Sequence, residues 1–326
     1  MTRDAPVLAV DVGGTKFAVG MVDADGEVYR AARAPTPPTA GSAELWRTLS
    51  ELVDHIREGE RIAGVGIGCG GPMTWPRGEV SPLNLAGWRD FPLRAELTAK
   101  FPGAPVRIHN DAICVAIAEH WRGAGRGSAN MLGMVVSTGV GGGLILGGKV
   151  IDGGTGNAGH IGHVIVEPEG VACGCGGRGC LEAVARGPAL AAWALDQGWR
   201  PTAPEMPDDA YREYGSATAR RLAADAIAGD EIALSAMARA GHALGLAIAS
   251  ASHLCDLDVV TIGGGVSQAG HVLFGPLDVT LREHARMDFA RRVRVVPAAL
   301  GQDAGLVGAA ALVLAGDRYW SPGEAG

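Results

Sequence analysis

Apolar residues in this chain fall into short continuous runs closed by glycine turns, alternating with longer stretches where they recur every three or four positions. Val7 to Asp11 reads as a buried strand. After Val12-Gly13-Gly14-Thr15 the run Lys16 to Val22 reads as a second, and beyond the turn signal Ala24-Asp25-Gly26 a third spans Glu27 to Arg33. A Pro/Thr-rich loop, Pro35 to Ala40, leads into a helix from Ser42, a plausible N-cap, to Glu58. Ile62 to Cys69 reads as a strand, Phe91 to Phe101 as a helix, Val106 to His109 as a strand and Asp111 to Trp121 as a helix.

The second half starts the same programme again. Met131 to Val136 and Leu144 to Leu146 read as strands joined through Thr138-Gly139-Val140-Gly141-Gly142-Gly143. Helices are expected at Leu181 to Asp196, Glu213 to Ala228 and Glu231 to Cys255, then a strand at Val259 to Ile262, Gly263-Gly264-Gly265 and another helix. Arg294 to Val296 is a last strand and Ala304 to Leu314 a last helix. Two α/β halves that both open with a glycine-tipped hairpin predict two related lobes with a cleft between them. The Gly/Arg/Ser-rich stretch 123–130 places the boundary near 125/126: an N-terminal lobe 1–125 and a C-terminal lobe 126–326. The helix near 303–316 is expected to pack back on the first lobe.

Composition narrows the classes. At 326 residues, with 47% hydrophobic and 19% charged positions, the chain can bury a large core. A formal net charge of −7 argues against a nucleic-acid or anionic-membrane surface. The start has no signal-peptide pattern, and no apolar stretch reaches membrane-spanning length without a glycine or charged interruption. Cys69, Cys114 and Cys255 sit singly in apolar surroundings, as buried thiols do, and a cytoplasmic location fits. His55, His109, His120 and His271 read as ordinary residues.

The 51 glycines cluster beside apolar runs, which suggests turns where backbone approaches a ligand. Asp11 to Lys16 fits neither the Walker A pattern nor the dinucleotide fingerprint. It does offer backbone N–H groups, a hydroxyl and a cation at a hairpin tip, all phosphate donors, and Asp11 can hold Mg²⁺ directly or through water. An isolated Gly-Gly turn is ordinarily only a turn. Three of them, at Gly13-Gly14, Thr138-Gly139 and Gly263 to Gly265, favour a nucleotide clamp. A second signal is local: His163, Cys173, Cys175 and Cys180 supply the imidazole and three thiolates of a closed structural zinc site, in a loop spanning 160–182. A redox cysteine cluster is the alternative.

Taken in order, Asp11 to Lys16, His109 to Ala112, Ser137 to Gly143, Ala158 to His163, Cys173 to Glu182 and Gly263 to Val266 resemble the ROK family of bacterial sugar kinases and repressors. The resemblance implies the actin-like, hexokinase/ribonuclease H-like ATPase fold, a homodimer or homotetramer, and MgATP-dependent phosphorylation of a hexose or N-acylhexosamine. It implies Asp111 as catalytic base, with Asn84, Asn110, His160, His163 and Glu182 as sugar contacts. His163 would also ligate zinc and turn its other ring nitrogen to the sugar. Most members carry glutamate where this chain has His160, and the His-Ile-Gly-His form resembles N-acetylmannosamine kinases. The Ser81 to Trp88 loop resembles both glucokinases and amino-sugar kinases. A sugar-responsive repressor is the rival reading. It is disfavoured because such regulators carry a DNA-binding domain ahead of a fold that here begins with Asp11, and because the net charge is negative.

Overall fold

The computed structural model describes residues 5–37, 39–204 and 217–320. In chain order, β1 (Val7–Val12), β2 (Lys16–Val22) and β3 (Val28–Pro35) form an antiparallel meander, followed by α1 (Ser42–Arg57) and β4 (Gly64–Cys69). A small hairpin, β5 (Met73–Thr74) and β6 (Glu79–Val80), precedes α2 (Leu93–Lys100), β7 (Val106–Asn110) and α3 (Asp111–Trp121). Then come β8 (Met131–Val136), β9 (Val140–Leu146), β10 (Lys149–Val150), α4 (Leu181–Ala185), α5 (Gly187–Asp196), α6 (Ala219–Ile227) and α7 (Glu231–Cys255). The chain continues through β11 (Val259–Gly263), α8 (His271–His284), α9 (Asp288–Arg291), β12 (Arg294–Pro297) and α10 (Ala304–Leu314).

The two five-stranded sheets have the same plan, β3-β2-β1-β4-β7 and β10-β9-β8-β11-β12: a hairpin meander extended by two parallel strands. The repetition legible in the sequence is therefore structural. Two compact units result. The first comprises Met1–Ala129, Gly143–Gly159 and Leu300–Gly326, the second Asn130–Gly142 and His160–Ala299. The segment Gly143–Gly159, which the sequence reading grouped with the C-terminal lobe, clusters with the first unit, as does α10.

In the first unit, α10 lies across the sheet and along α3. It comes this close because Gly66 of β4 faces the Ala309 carbonyl and Gly308 faces the Cys114 carbonyl; a side chain at either glycine would collide with backbone. Phe17, Trp88 and Phe91 stack at 6.0 and 4.4 Å beneath α1, whose Leu45, Leu49 and Val53 are fully buried. Strand β7 closes one edge of this sheet, and side chains satisfy its open backbone groups. Arg94 Nε donates to the Val106 carbonyl at 2.9 Å and Trp320 Nε1 to the Ile108 carbonyl at 3.0 Å.

In the second unit α7 is the central helix. By length and composition it could cross a membrane, but 61% of its apolar window is buried, and it packs on α4, α5, α6 and α8. Gly241 and Gly245 let α8 approach, since a Cβ at either would stand under 3 Å from an α8 carbonyl or from Thr280.

Several expected elements differ, each for a local reason. Ser42 is the first residue of α1 rather than its cap; Gly41 occupies the cap position and makes no side-chain bond. The run Gly141 to Gly143 belongs to strand β9, so the turn shortens to Ser137–Gly139. The long helix expected from Leu181 to Asp196 breaks at Arg186, which adopts extended backbone ahead of Gly187 and Pro188. Helix α6 starts at Ala219, capped by the Thr218 hydroxyl, and residues 213–216 of the expected helix lie outside the described residues.

Candidate functional site

Within the first unit, the strand ends and turns bring Asp11, Gly14, Asn84, Asn110 and Asp111 into one neighbourhood. Asp11 is the penultimate residue of β1, and Gly305 at the start of α10 leaves the space its carboxylate fills. Asn84 lies directly over Gly14. A Cβ at Gly70 would stand 3.7 Å from Asn84 Oδ1 and 3.8 Å from Asp111 Oδ2, so these two side chains converge on the same glycine.

The hairpin tip is tightly tied. Gly13 N–H donates to the Lys16 carbonyl at 3.0 Å and Thr36 Oγ1 to the Gly13 carbonyl at 3.1 Å, while Thr15 and Lys16 are exposed. The Gly13 N–H therefore closes the turn. Lys16 Nζ reaches Gln302 Oε1 at 3.1 Å, and on the neighbouring strand Arg33 pairs with Asp303 at 3.0 Å. Gln302 and Asp303 were not among the expected site residues. Nothing local in the sequence announced the pairing of Asp303 with Arg33.

Asn110 is the N-cap of α3: its Oδ1 accepts from Ala112 N–H at 3.0 Å and Ile113 N–H at 3.4 Å. Asp111 is the first helical residue, and its Oδ1 accepts from Ala112 N–H at 2.8 Å. Burial raises the Asp111 pKa against the pull of the backbone hydrogen bonds. Burial and the nearby Asp111 carboxylate push Asp11 up to about 7, with Lys16 and Arg33 acting the other way. Two carboxyl groups raised in this manner form an oxygen donor set that suits a hard cation.

Within the second unit the turn Ser137–Gly139 is fastened by Ser137 N–H to the Gly139 carbonyl (2.8 Å) and Gly187 N–H to the Ser137 carbonyl (2.7 Å). Thr138 is exposed at its tip. Gly263 ends β11, Gly264 follows at φ +92° against the Val136 backbone, and Gly265 sits beside Ser137 Oγ. Only glycine takes that φ without strain and leaves room for Val136. Glu182, in the first turn of α4, directs Oε2 to the Val140 N–H at 2.9 Å, which leaves Oε1 as its other acceptor.

The cysteine loop gathers as its spacing predicted. One ligand atom from each of His163, Cys173, Cys175 and Cys180 lies within 4.8 Å of every other. Cys175 and Cys180 sulfurs are 3.7 Å apart, far beyond the ~2.05 Å of a disulfide and close to the ~3.8 Å edge of a tetrahedron with ~2.3 Å Zn–S bonds. His163 Nδ1 faces Cys173 Sγ at 3.8 Å, so Nε2 points away from the cluster. The Gly177 N–H holds the Cys175 thiol below the usual range, whereas burial and the neighbouring thiols push Cys180 up to about 12. This donor set fits one zinc ion. The His160 ring lies nearly parallel to that of His163, with centroids 6.1 Å apart. Partial burial and then His163 lower the His160 pKa, against the influence of Glu182, so the imidazole is neutral near pH 7.

Two histidines read as ordinary are buried with both ring nitrogens bonded: His120, to the Tyr319 hydroxyl at 2.6 Å and the Ser128 carbonyl at 2.9 Å, and His109. His109 is fully buried and bonded through both ring nitrogens, to Asp152 Oδ1 at 2.7 Å and to the Asn110 N–H at 2.9 Å.

The profile of the ROK family matches residues 7–315. The chain is 37% identical over 312 residues to a glucokinase of Thermotoga maritima, covering 94% of this chain and 96% of that one. It is 36% identical over 306 residues to an N-acetylmannosamine kinase of Yersinia pestis, covering 93% and 96%. Its fold is similar to the crystal structure of a ROK family glucokinase from Streptomyces griseus in complex with glucose and AMPPNP. The TM-score is 0.80 at 31% identity, covering 95% of this chain and 100% of that one. The chain belongs to the ROK family.

Proposed function

We propose that this chain is a hexokinase-type phosphotransferase that moves the γ-phosphoryl group of ATP to the 6-hydroxyl of a hexose or N-acylhexosamine. The observation that carries the reading is the Asn110–Asp111 start of α3. There a carboxyl with a raised pKa is fixed by a backbone N–H, beside Asn84 and the Asp11 carboxyl. The relatives, named for glucose and N-acetylmannosamine phosphorylation, support the same reaction class.

In this reading Asp111 Oδ2 accepts the proton of the sugar hydroxyl as the bond to phosphorus forms, while Oδ1 stays on Ala112 N–H. A carboxylate with a raised pKa is the stronger base. Asn84, Asn110, His160, His163 through Nε2 and Glu182 through Oε1 serve as the sugar contacts. A neutral His160 accepts one hydrogen bond and donates one, which distinguishes it from a carboxylate that only accepts. Gly14, Thr15 and Lys16, Thr138 and Gly139, and Gly263 to Gly265 are the nucleotide contacts, with Gly13 shaping its turn. Asp11 would hold Mg²⁺, directly or through water, and the ion would neutralise phosphate charge. Zinc held by His163, Cys173, Cys175 and Cys180 is structural: it fixes the loop and the His163 ring. A homodimer or homotetramer in the cytoplasm completes the reading.

The test is a coupled ADP-release assay over glucose, mannose, N-acetylmannosamine and N-acetylglucosamine. ATP-dependent turnover of at least one is expected. No turnover of any by folded, zinc-loaded protein would overturn the assignment.

A further inference from the structure

We propose that the Asp152–His109 pair is a positioning device for the Asn110–Asp111 segment, locking the backbone from which the base projects. The inference rests on the reading of Asp111 as base, and all its members lie within the first unit.

The argument begins with the sheet edge. In a parallel strand alternate residues turn their N–H and C=O groups to the same side. Among the described residues no strand pairs with β7 on the side away from β4, so Val106, Ile108 and Asn110 face the open edge. Arg94 and Trp320 satisfy the first two carbonyls. The third group, the Asn110 N–H, is satisfied by the imidazole of the residue before it, His109 Nδ1 at 2.9 Å.

An imidazole nitrogen that accepts from an N–H carries no proton. His109 is therefore neutral with its proton on Nε2, and Nε2 donates to Asp152 Oδ1 at 2.7 Å. Asp152 fixes both the tautomer and the tilt of the ring. Trp75 stacks on the imidazole face at 4.7 Å and Trp320 packs against Trp75 edge-on, so the ring has little freedom to rotate. The peptide held in this way leads directly into the Asn110 cap and the Asp111 carboxyl. Asp152 and His109 are not catalytic residues here, since nothing places them on the substrate. They act through the 110–111 backbone, where a misplacement of about 1 Å can cost on the order of 100-fold in rate.

The test compares Asp152→Asn with Asp152→Ala. The Asn variant keeps a carbonyl oxygen that accepts from Nε2–H; the Ala variant has none. For Asp152→Ala, kcat is expected to fall roughly 10- to 100-fold with the KM for ATP within about twofold of wild type. Asp152→Asn should recover most of kcat. A long-range ¹H–¹⁵N spectrum of histidine-labelled protein, with His109 assigned by its loss in His109→Gln, should show Nδ1 unprotonated and Nε2 protonated in wild type. Retention of full kcat in Asp152→Ala, equal impairment of both variants, or the opposite tautomer would each overturn the proposal. If Asp152→Ala does not fold, the wild-type spectrum and Asp152→Asn decide. Absence of turnover by wild type would count against the kinase reading alone, because the tautomer is read without activity.

Discussion

Glu182 Oε2 accepts the Val140 N–H at 2.9 Å, and a Cβ at Gly139 would stand 2.9 Å from the same oxygen. One carboxylate thus holds the turn proposed as a phosphate contact, and its other oxygen is the one proposed for sugar. Its place two positions after the metal-loop residue Cys180 makes it the link between the metal loop and the turn.

The first prediction follows from that link. Glu182→Ala leaves the Val140 N–H without its acceptor, a loss of about 1–3 kcal/mol where the group is buried. The KM for ATP should rise along with that for sugar. Glu182→Gln keeps an acceptor for Val140 and should raise mainly the sugar KM. Steady-state kinetics in both substrates separates the two; an unchanged ATP KM in Glu182→Ala would show that the turn holds without the carboxylate.

Stability of the metal-free protein should depend on pH through Asp11. Its native pKa of about 7 lies above the ordinary 3.8, so the native state keeps a proton that the unfolded chain releases. Stability should therefore fall as pH rises from about 4 through 7 and level off above. Asp11→Asn should flatten this dependence and raise the Tm at pH 8. Thermal melts across pH with and without Mg²⁺ check it, and Mg²⁺ should raise the wild-type Tm at pH 8 more than that of the variant.

Zinc should be present at one equivalent per chain. Its removal by a chelator should release three titratable thiols from Cys173, Cys175 and Cys180 and lower the Tm, because structural zinc contributes directly to folding. Cys175→Ser should reproduce the loss. Metal analysis showing under half an equivalent in protein purified without added zinc would oppose the structural site.

Two glycine substitutions should differ in sign. Gly308→Ala drives a Cβ into the Cys114 carbonyl between α10 and α3 and should destabilise by about 1–3 kcal/mol. Gly275→Ala, in α8 with nothing within 4 Å of the added atom, should be neutral or stabilising by up to ~1 kcal/mol. Denaturant melts measure both.

What could be read from sequence was what is encoded locally. The bounds of β2, α3, α7 and α10 follow from hydrophobic periodicity, and the Cys173 to Cys180 spacing brings its own ligands together. Glycine was ambiguous. Gly141 to Gly143 looked like turn residues but lie in β9, where Gly143 lets α3 approach: its Cβ would stand 2.9 Å from Ile113 Cα. Pairings between distant positions left no trace. Nothing near His109 in the chain announced its partner Asp152, which lies 43 positions on in the Gly143–Gly159 segment of the first unit.

The central claim is that Asp111 is the base, and the most direct measurement is kcat of Asp111→Asn alongside calorimetric sugar binding. Asparagine keeps the acceptor for Ala112 N–H and the shape of the side chain while removing the proton-accepting charge. The account predicts a kcat loss of roughly 10²- to 10⁴-fold with sugar affinity retained within about tenfold. Turnover near the wild-type rate would contradict it.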